Sequence, residues 1–364
     1  MKTLPILSVL TIVVWAGLVW QQRDARALQA EPSEATEDTS QQATDDEQPA
    51  ADNEEPAPTE ETTAEPTSRQ PDPEVAAACV ALLQQSRDRL YAYDSVQARI
   101  VERAAIGPRS FTAEGIYIAG TFPQMRLEYT VQVGGSEGKL IEVCDGQILR
   151  SSKEIRSIRP GDDQSTETAP DEIQVTRKEV QKILQAGKEA GNAGSTQAIV
   201  QAELGLGGLP TLLAALETAM VFDGMREETW KGQSYTVIEG QWKQEYLDEL
   251  APKLGQNAQA MSVYMPERVR VYFDAETLFP MRILYLKQYA AEPATFRAIL
   301  SLEMSDVRFN EELDPEVFRY IPPTNVNEID ETAAYLRMIE ALRSEIPPGE
   351  QPTGPASPAA EPAP

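Results

Sequence analysis

The clearest pattern in the chain is an unbroken alternation. Met125, Leu127, Tyr129, Val131 and Val133 take turns with Arg126, Glu128, Thr130 and Gln132. In a strand this puts one apolar set on one face and leaves the other face wet. Val96, Ala98 and Ile100 alternate in the same way before a turn at Gly107-Pro108, and Phe111 to Ala119 reads as the next strand, ended by Thr121-Phe122-Pro123. Beyond Gly134-Gly135, Leu140 to Cys144 and Gln147 to Arg150 flank Asp145-Gly146, a strong short hairpin signal. Strands resume late in the chain at Thr229 to Lys231, Tyr235 to Trp242, Arg268 to Phe273 and Met281 to Leu286. A long strand, Phe296 to Phe309, sets Phe296, Ala298, Leu300, Leu302 and Met304 on one side.

Helical spacing appears at four places. Asp72 is a good N-cap, Pro73 suits a first turn, and Val75, Ala78, Cys79, Leu82, Leu83 and Leu90 follow at near-helical intervals. A polar loop, Pro160 to Glu172, leads to a helix expected over Val175 to Ala186, with Val180, Ile183 and Leu184 on one side. After a segment at Ala198 to Leu204 and the Gly205 to Gly208 stretch, Pro210 starts an apolar helix through Leu212, Leu213, Leu216 and Met220. Asp314-Pro315 opens a short turn carrying Val317 and Phe318, and Ile329 to Leu342 closes with a helix. The order is helix, antiparallel meander, helices, antiparallel meander, helix. It predicts a mainly β, α+β domain in which a twisted antiparallel sheet curls around helices.

The flanks change the picture. Lys2 precedes an uncharged, mostly apolar run of 17 residues from Leu4 to Trp20, about 25 Å long as a helix and just short of a bilayer core. Charged start, apolar stretch and Ala25-Arg26-Ala27 make residues 1–30 an export signal, either cleaved or retained as an inner-membrane anchor. No cysteine follows the run to carry a lipid anchor. From Glu31 to Asp72 there are 14 acids and one base, Arg69, within a chain of net charge −26. Such a stretch cannot bury enough apolar surface to order itself and is expected to be a disordered acidic linker. The tail 347–364, with seven prolines, reads the same way, leaving 73–346 as one domain placed extracytoplasmically.

The acidic balance argues against nucleic-acid binding, because nothing would neutralise phosphates. The chain has no histidine, which removes the commonest general base, the usual Ser and Cys protease triads and most zinc sites. Asp162-Asp163, Glu245 to Glu249 and Asp330-Glu331 lack calcium-loop spacing, and Gly205 to Gly208 lacks the Lys-Ser/Thr of a phosphate loop. No metal, no cofactor and no catalytic residue is expected. Cys79 and Cys144 are the two cysteines; in an oxidising compartment they can pair.

Several short pieces, in order, resemble the LolA/LolB/RseB superfamily of periplasmic lipoprotein-carrier folds. They are Gly115-Ile116-Tyr117-Ile118 leading to Pro123, Met125 to Tyr129, Val143-Cys144-Asp145-Gly146, Val271-Tyr272-Phe273-Asp274 with Phe279-Pro280, and Phe309 to Phe318 followed by Pro322-Pro323. The resemblance, spanning roughly Ala98 to Pro323, implies an unclosed β-barrel with a concave apolar face under helical lids. It implies a non-enzymatic binder of acyl chains or apolar protein segments, with a lipid, an acylated protein or an envelope protein as partner. Alternation and resemblance together nominate Met125, Leu127, Tyr129, Val131, Leu300, Leu302 and Met304 as lining an apolar cavity. One departure stands out: the carriers have an arginine before the proline matched to Pro123, and here that place holds Phe122. An envelope sensor of the RseB kind is the alternative. A carboxylate hydrolase is disfavoured by the missing histidine.

Overall fold

Two antiparallel meanders, joined side by side, make up the β structure. The computed structural model describes residues 62–63, 72–106, 109–133, 135–158, 170–189, 208–248, 265–289 and 295–344. The first meander runs through β2 (Val96–Ile106), β3 (Arg109–Ala119), β4 (Met125–Val133), β5 (Ser136–Cys144), β6 (Ile148–Ser157) and β7 (Glu172–Glu179). The second runs through β8 (Met220–Trp230), β9 (Gln233–Trp242), β10 (Arg268–Asp274), β11 (Pro280–Tyr289) and β12 (Thr295–Phe309). β12 pairs antiparallel with β2, and β13 (Glu328–Asp330) adds to β7 in parallel. The order is β13-β7-β6-β5-β4-β3-β2-β12-β11-β10-β9-β8, with β13 and β8 as its two ends. The sheet is open, as an unclosed barrel requires. A two-residue strand, β1 (Thr62–Thr63), sits inside the acidic segment and pairs with Thr295 and Phe296 of β12.

Four helices cover one face, called the inner face below. α1 (Pro73–Ala92) starts where Asp72 accepts a hydrogen bond from the Glu74 amide at 2.9 Å. Its buried stripe is Cys79, Leu83, Ser86 and Leu90. α3 (Gly208–Ala219) is buried along most of its length and packs against α1, with Arg87 and Glu217 paired at 2.7 Å between them. Both helices lie on a core drawn from every strand from β2 to β5 and from β8 to β12. α2 (Val180–Glu189) and α4 (Thr332–Ser344) pack together over β6 and β7. They enclose a smaller cluster of Met125, Cys144, Leu149, Val180, Ile183 and Ile339. Leu127 touches both clusters and is only half-buried, so it marks the seam between the two helix pairs.

Four expectations need correction. The helix placed over Val175 to Ala186 is a strand up to Glu179 and a helix only from Val180. Ile173, Val175 and Thr176 are β-branched and pair across β6. The Pro210 helix stops at Ala219, and Met220 opens an eleven-residue strand, of which the alternation marks only the end near Thr229. A register shift between Phe222 and Gly224 hides its alternation. The closing helix begins at Thr332, because Glu328–Asp330 is β13 and Asp330 accepts from the Thr332 amide at 2.9 Å. Finally, Phe296 and Ala298 do not share a face with Leu300. β12 shifts register there: Leu300 stands opposite Tyr285 but Ala298 opposite Leu286. Phe296 therefore packs with Leu286, Leu284 and Tyr272 on the outer face. The segments at 198–204 and 160–169, most of the linker and the tail lie outside the described residues.

Candidate functional site

At one end of the inner face the last turn of α1, the β3–β4 turn and the first turn of α3 leave a cleft of about 240 Å³. Tyr117, Val96 and Met125 line it from the strands, Pro210 from α3, and Tyr91 and Phe122 from its rim. Tyr91 is 46% exposed and Phe122 38% exposed, and their rings meet edge-on with centroids 6.0 Å apart. The two rings make a small aromatic rim at the mouth of the cleft. Local chemistry fixes the shape. Burial raises the Tyr117 phenol, which also has a hydrogen bond with the Leu209 backbone. Gly208 sits against it at φ +49, where a Cβ would come within 2.3 Å of the Tyr117 oxygen. Only glycine lets α3 begin so close to β3. A hydrogen bond between Tyr91 and Thr211 fastens α1 to α3 beside the opening.

The sequence-nominated residues fall in three places. Met125 lines the cleft and belongs to the smaller cluster. Leu127 sits at the seam. Tyr129, Val131, Leu300, Leu302 and Met304 are buried in the main core. Register does bring the two sets onto one face. Met304, Leu302 and Leu300 stand opposite Ile100, Glu102 and Ala104 of β2, and β3 carries Gly115 opposite Tyr129 and Ala113 opposite Val131. α1 and α3 cover that face. Tyr91 and Phe122 were not nominated, since an exposed aromatic outside a periodic run carries no period to read.

A third missed residue is Glu102, only 3% exposed and in the middle of the inner face. Burial alone pushes its carboxyl up to about 8. Two flanking phenols, Tyr129 and Tyr285, are raised by burial and then by Glu102 itself. Its parity was the available signal: Ala98, Ile100, Glu102 and Ala104 are successive alternate positions.

The outer face carries an ionic group of another kind. Glu239 accepts from Arg268 at 2.7 Å and from Arg270 at 2.9 Å, and Arg268 also meets Asp223 at 3.1 Å. Burial works against ionisation of Glu239, but Arg270 and Arg268 outweigh it and hold the carboxyl below its ordinary range. Arg282 lies over the Trp230 ring at 4.6 Å and the Tyr272 ring at 5.5 Å.

The two cysteines, for which a disulfide is possible in an oxidising compartment, are both free in this structure. Cys79 belongs to the main core and Cys144 to the smaller cluster, so different helices enclose them. Burial raises each thiol to about 11. Among the described residues no three cysteine or carboxylate side chains gather as metal ligands would. Nor is any helix among them long and apolar enough to cross a membrane; the apolar run 4–20 lies outside them.

No protein-family model and no curated protein matches the chain. Solved structures of LolA-superfamily and related proteins do. MucB matches at 10% identity with a TM-score of 0.31, over 66% of this chain and 63% of that one. LprF from Mycobacterium bovis matches at 10% identity and 0.29, over 68% of this chain and 97% of that one. A LolA superfamily protein from Nitrosomonas europaea matches at 9% identity and 0.20, over 66% and 96%. None of the three supplies a residue role or a ligand for this chain.

Proposed function

We propose that this chain is an extracytoplasmic, non-enzymatic binding protein that takes the acyl chain of a lipid or of an acylated protein between its sheet and its helices. The observation that carries the reading is the cleft with its exposed Tyr91 and Phe122 rim, opening at the end of an apolar face that is continuous across the sheet. An acyl chain entering there passes Met125 and reaches Leu127 at the seam between the two helix pairs. Tyr129, Val131, Leu300, Leu302 and Met304 then form the wall along which it lies once α1 and α3 yield. Phe122, where the carriers have arginine, makes the rim apolar and suits a hydrocarbon better than an anionic group. The N-terminal segment, if retained, holds the protein at the inner membrane.

The test pairs a thermal melt with binding of a fluorescent acyl probe to the intact chain. Leu127→Trp fills the seam. It is expected to melt within a few degrees of the wild type and to lose probe binding. In a sealed core the same swap would cost roughly 1–3 kcal/mol through overpacking. Unchanged binding by a folded Leu127→Trp protein would remove Leu127 from the site. The same aromatic rim also suits an apolar side chain of an extended protein segment, which is the RseB-like sensor reading. A wild-type chain that binds no acyl probe but captures an apolar peptide would put that reading first.

A further inference from the structure

The apolar inner face contains an acid with nothing to answer it. Glu102 Oε1 and the Tyr285 hydroxyl are both buried without a hydrogen-bond partner. Glu102 stands opposite Leu302 of β12, and Tyr285 of β11 stands opposite the next inward residue of that strand, Leu300. The two side chains are therefore diagonal neighbours across β12, and Tyr129 lies on the other side, beyond β3. A buried polar group left unpaired costs about 1–3 kcal/mol, more when it is charged. Glu239, buried on the outer face of the same sheet, has two guanidinium groups within 2.9 Å.

The groups around Glu102 decide what it can accept. β12 presents Leu300, Leu302 and Met304, and β3 presents Ala113, none of which titrates. Tyr129 comes from β4, Glu142 from β5 and Tyr285 from β11, with Tyr246 beside Tyr285. α3 presents Leu212, Leu213 and Leu216, and α1 presents Leu83 and Cys79, whose thiol points to the Gly224 carbonyl. Lys178, the buried cation of the inner face, is engaged by Glu331 at 3.2 Å and lies over the Tyr335 ring. The surroundings of Glu102 are thus phenols, a second acid and hydrocarbon.

We propose that Glu102, with Tyr285 beside it, seats a primary-amine head group at the buried end of an apolar ligand. The inference rests on the apolar-ligand reading above. An ammonium turns the lone acid into an ion pair where the low dielectric makes that pair strong, and it donates to the phenol oxygen as well. A carboxylate or phosphate head group would meet an acid with no cation to separate them. A hydroxyl head group gains no charge pair. Protons balance simply: the ammonium enters charged, the Glu102 proton leaves to solvent, and no other bond changes. Amine affinity therefore rises roughly tenfold per pH unit until the carboxyl of the free protein is ionised, near pH 8, and is flat above.

Calorimetric titration of the intact chain with an alkylamine, an alkanol and an alkanoate of equal chain length, below their micellar range, tests this. The amine is expected to bind at least tenfold tighter than either alternative at pH 8, and to release close to one proton at pH 6.5. Glu102→Gln, which keeps the shape of the protonated acid, should abolish both the preference and the pH slope while leaving alkanol binding intact. Tyr285→Phe should weaken the amine severalfold. Equal binding of the three probes, or an amine preference that survives in Glu102→Gln, overturns the inference and leaves the apolar-ligand reading standing. Failure of all three probes to bind a folded chain overturns that reading itself. Should Glu102→Gln fail to fold, the wild-type pH slope decides alone: a flat amine affinity between pH 6 and 8 overturns the proposal.

Discussion

The two faces of the sheet each bury a glutamate, and they treat it in opposite ways. On the outer face Glu239 is 7% exposed and gripped by Arg268 and Arg270. On the inner face Glu102 is 3% exposed and gripped by nothing. Burial penalises the charged form in both cases, yet one carboxyl is lowered and the other raised. Depth does not decide ionisation; the partners brought along do. Outer-face polarity is self-contained and serves the sheet. The inner-face acid is a cost that packing alone leaves unexplained, which is why it points to a ligand.

The largest expected effect breaks the outer side of this contrast. Glu239→Gln takes the carboxylate away from buried Arg270 and leaves Arg268 with Asp223 as its carboxylate partner, and should cost about 3–5 kcal/mol, read from urea unfolding at pH 7. The inner side has the opposite sign. Folded Glu102 holds its proton up to about pH 8, whereas the unfolded chain releases it near 4.5. The stability contributed by Glu102 is therefore fully present below pH 4.5, falls as pH rises from there to about 8 and levels off above it. Glu102→Gln removes this slope and should gain roughly 2–4 kcal/mol at pH 8, with little change at pH 4.5. Glu239, whose carboxyl is lowered, contributes stability above the ordinary carboxylate range that is lost as pH falls below it. Unfolding curves from pH 3 to 9 on the two Gln variants separate the contributions, and a Glu102→Gln curve parallel to the wild type would refute this account.

A pair of tyrosines gives the smallest and sharpest comparison. The outer-face Tyr272 hydroxyl donates to Glu228 at 3.0 Å, so Tyr272→Phe should cost about 1 kcal/mol. The inner-face Tyr285 hydroxyl has no partner, so Tyr285→Phe should be within about 0.5 kcal/mol of wild type or slightly stabilising, by the same unfolding measurement. Equal losses in the two variants would mean that the inner hydroxyl is satisfied after all.

Much of the architecture was legible because burial on one side writes a period into a strand. β4 was read from Met125 to Val133 to the residue, and the Asp145-Gly146 turn sits between β5 and β6 as its chemistry demands. What period cannot show is where it slips. The register shift in β12 carries Phe296 and Ala298 to the other face, and the one in β8 masks most of a strand. Val180, Ile183 and Leu184 are helically spaced, and no turn residue separates them from the Val175 to Glu179 run, so the β7–α2 boundary carries no mark in the sequence. At the candidate site, alternation placed all seven nominated residues on one face, but the depth to which α1 and α3 cover it is a property of the tertiary fold. Glu102 carries no site signal of its own, because a charge in a β-strand normally marks the wet side.

The joint between the two meanders also sets a timetable for the newborn chain. Every strand from β3 to β7 can pair with the one just made, but β2 cannot complete its second edge until β12 exists, roughly 190 residues later. In a chain threaded N-terminus first across a membrane, that edge stays bare until those residues have followed. A bare, eleven-residue strand edge is a template for any passing strand. Long-range pairing of this sort also slows folding. For this protein the hazard lies in its youth: β2, harmless at the centre of the finished sheet, is the segment that a chaperone would have most reason to hold.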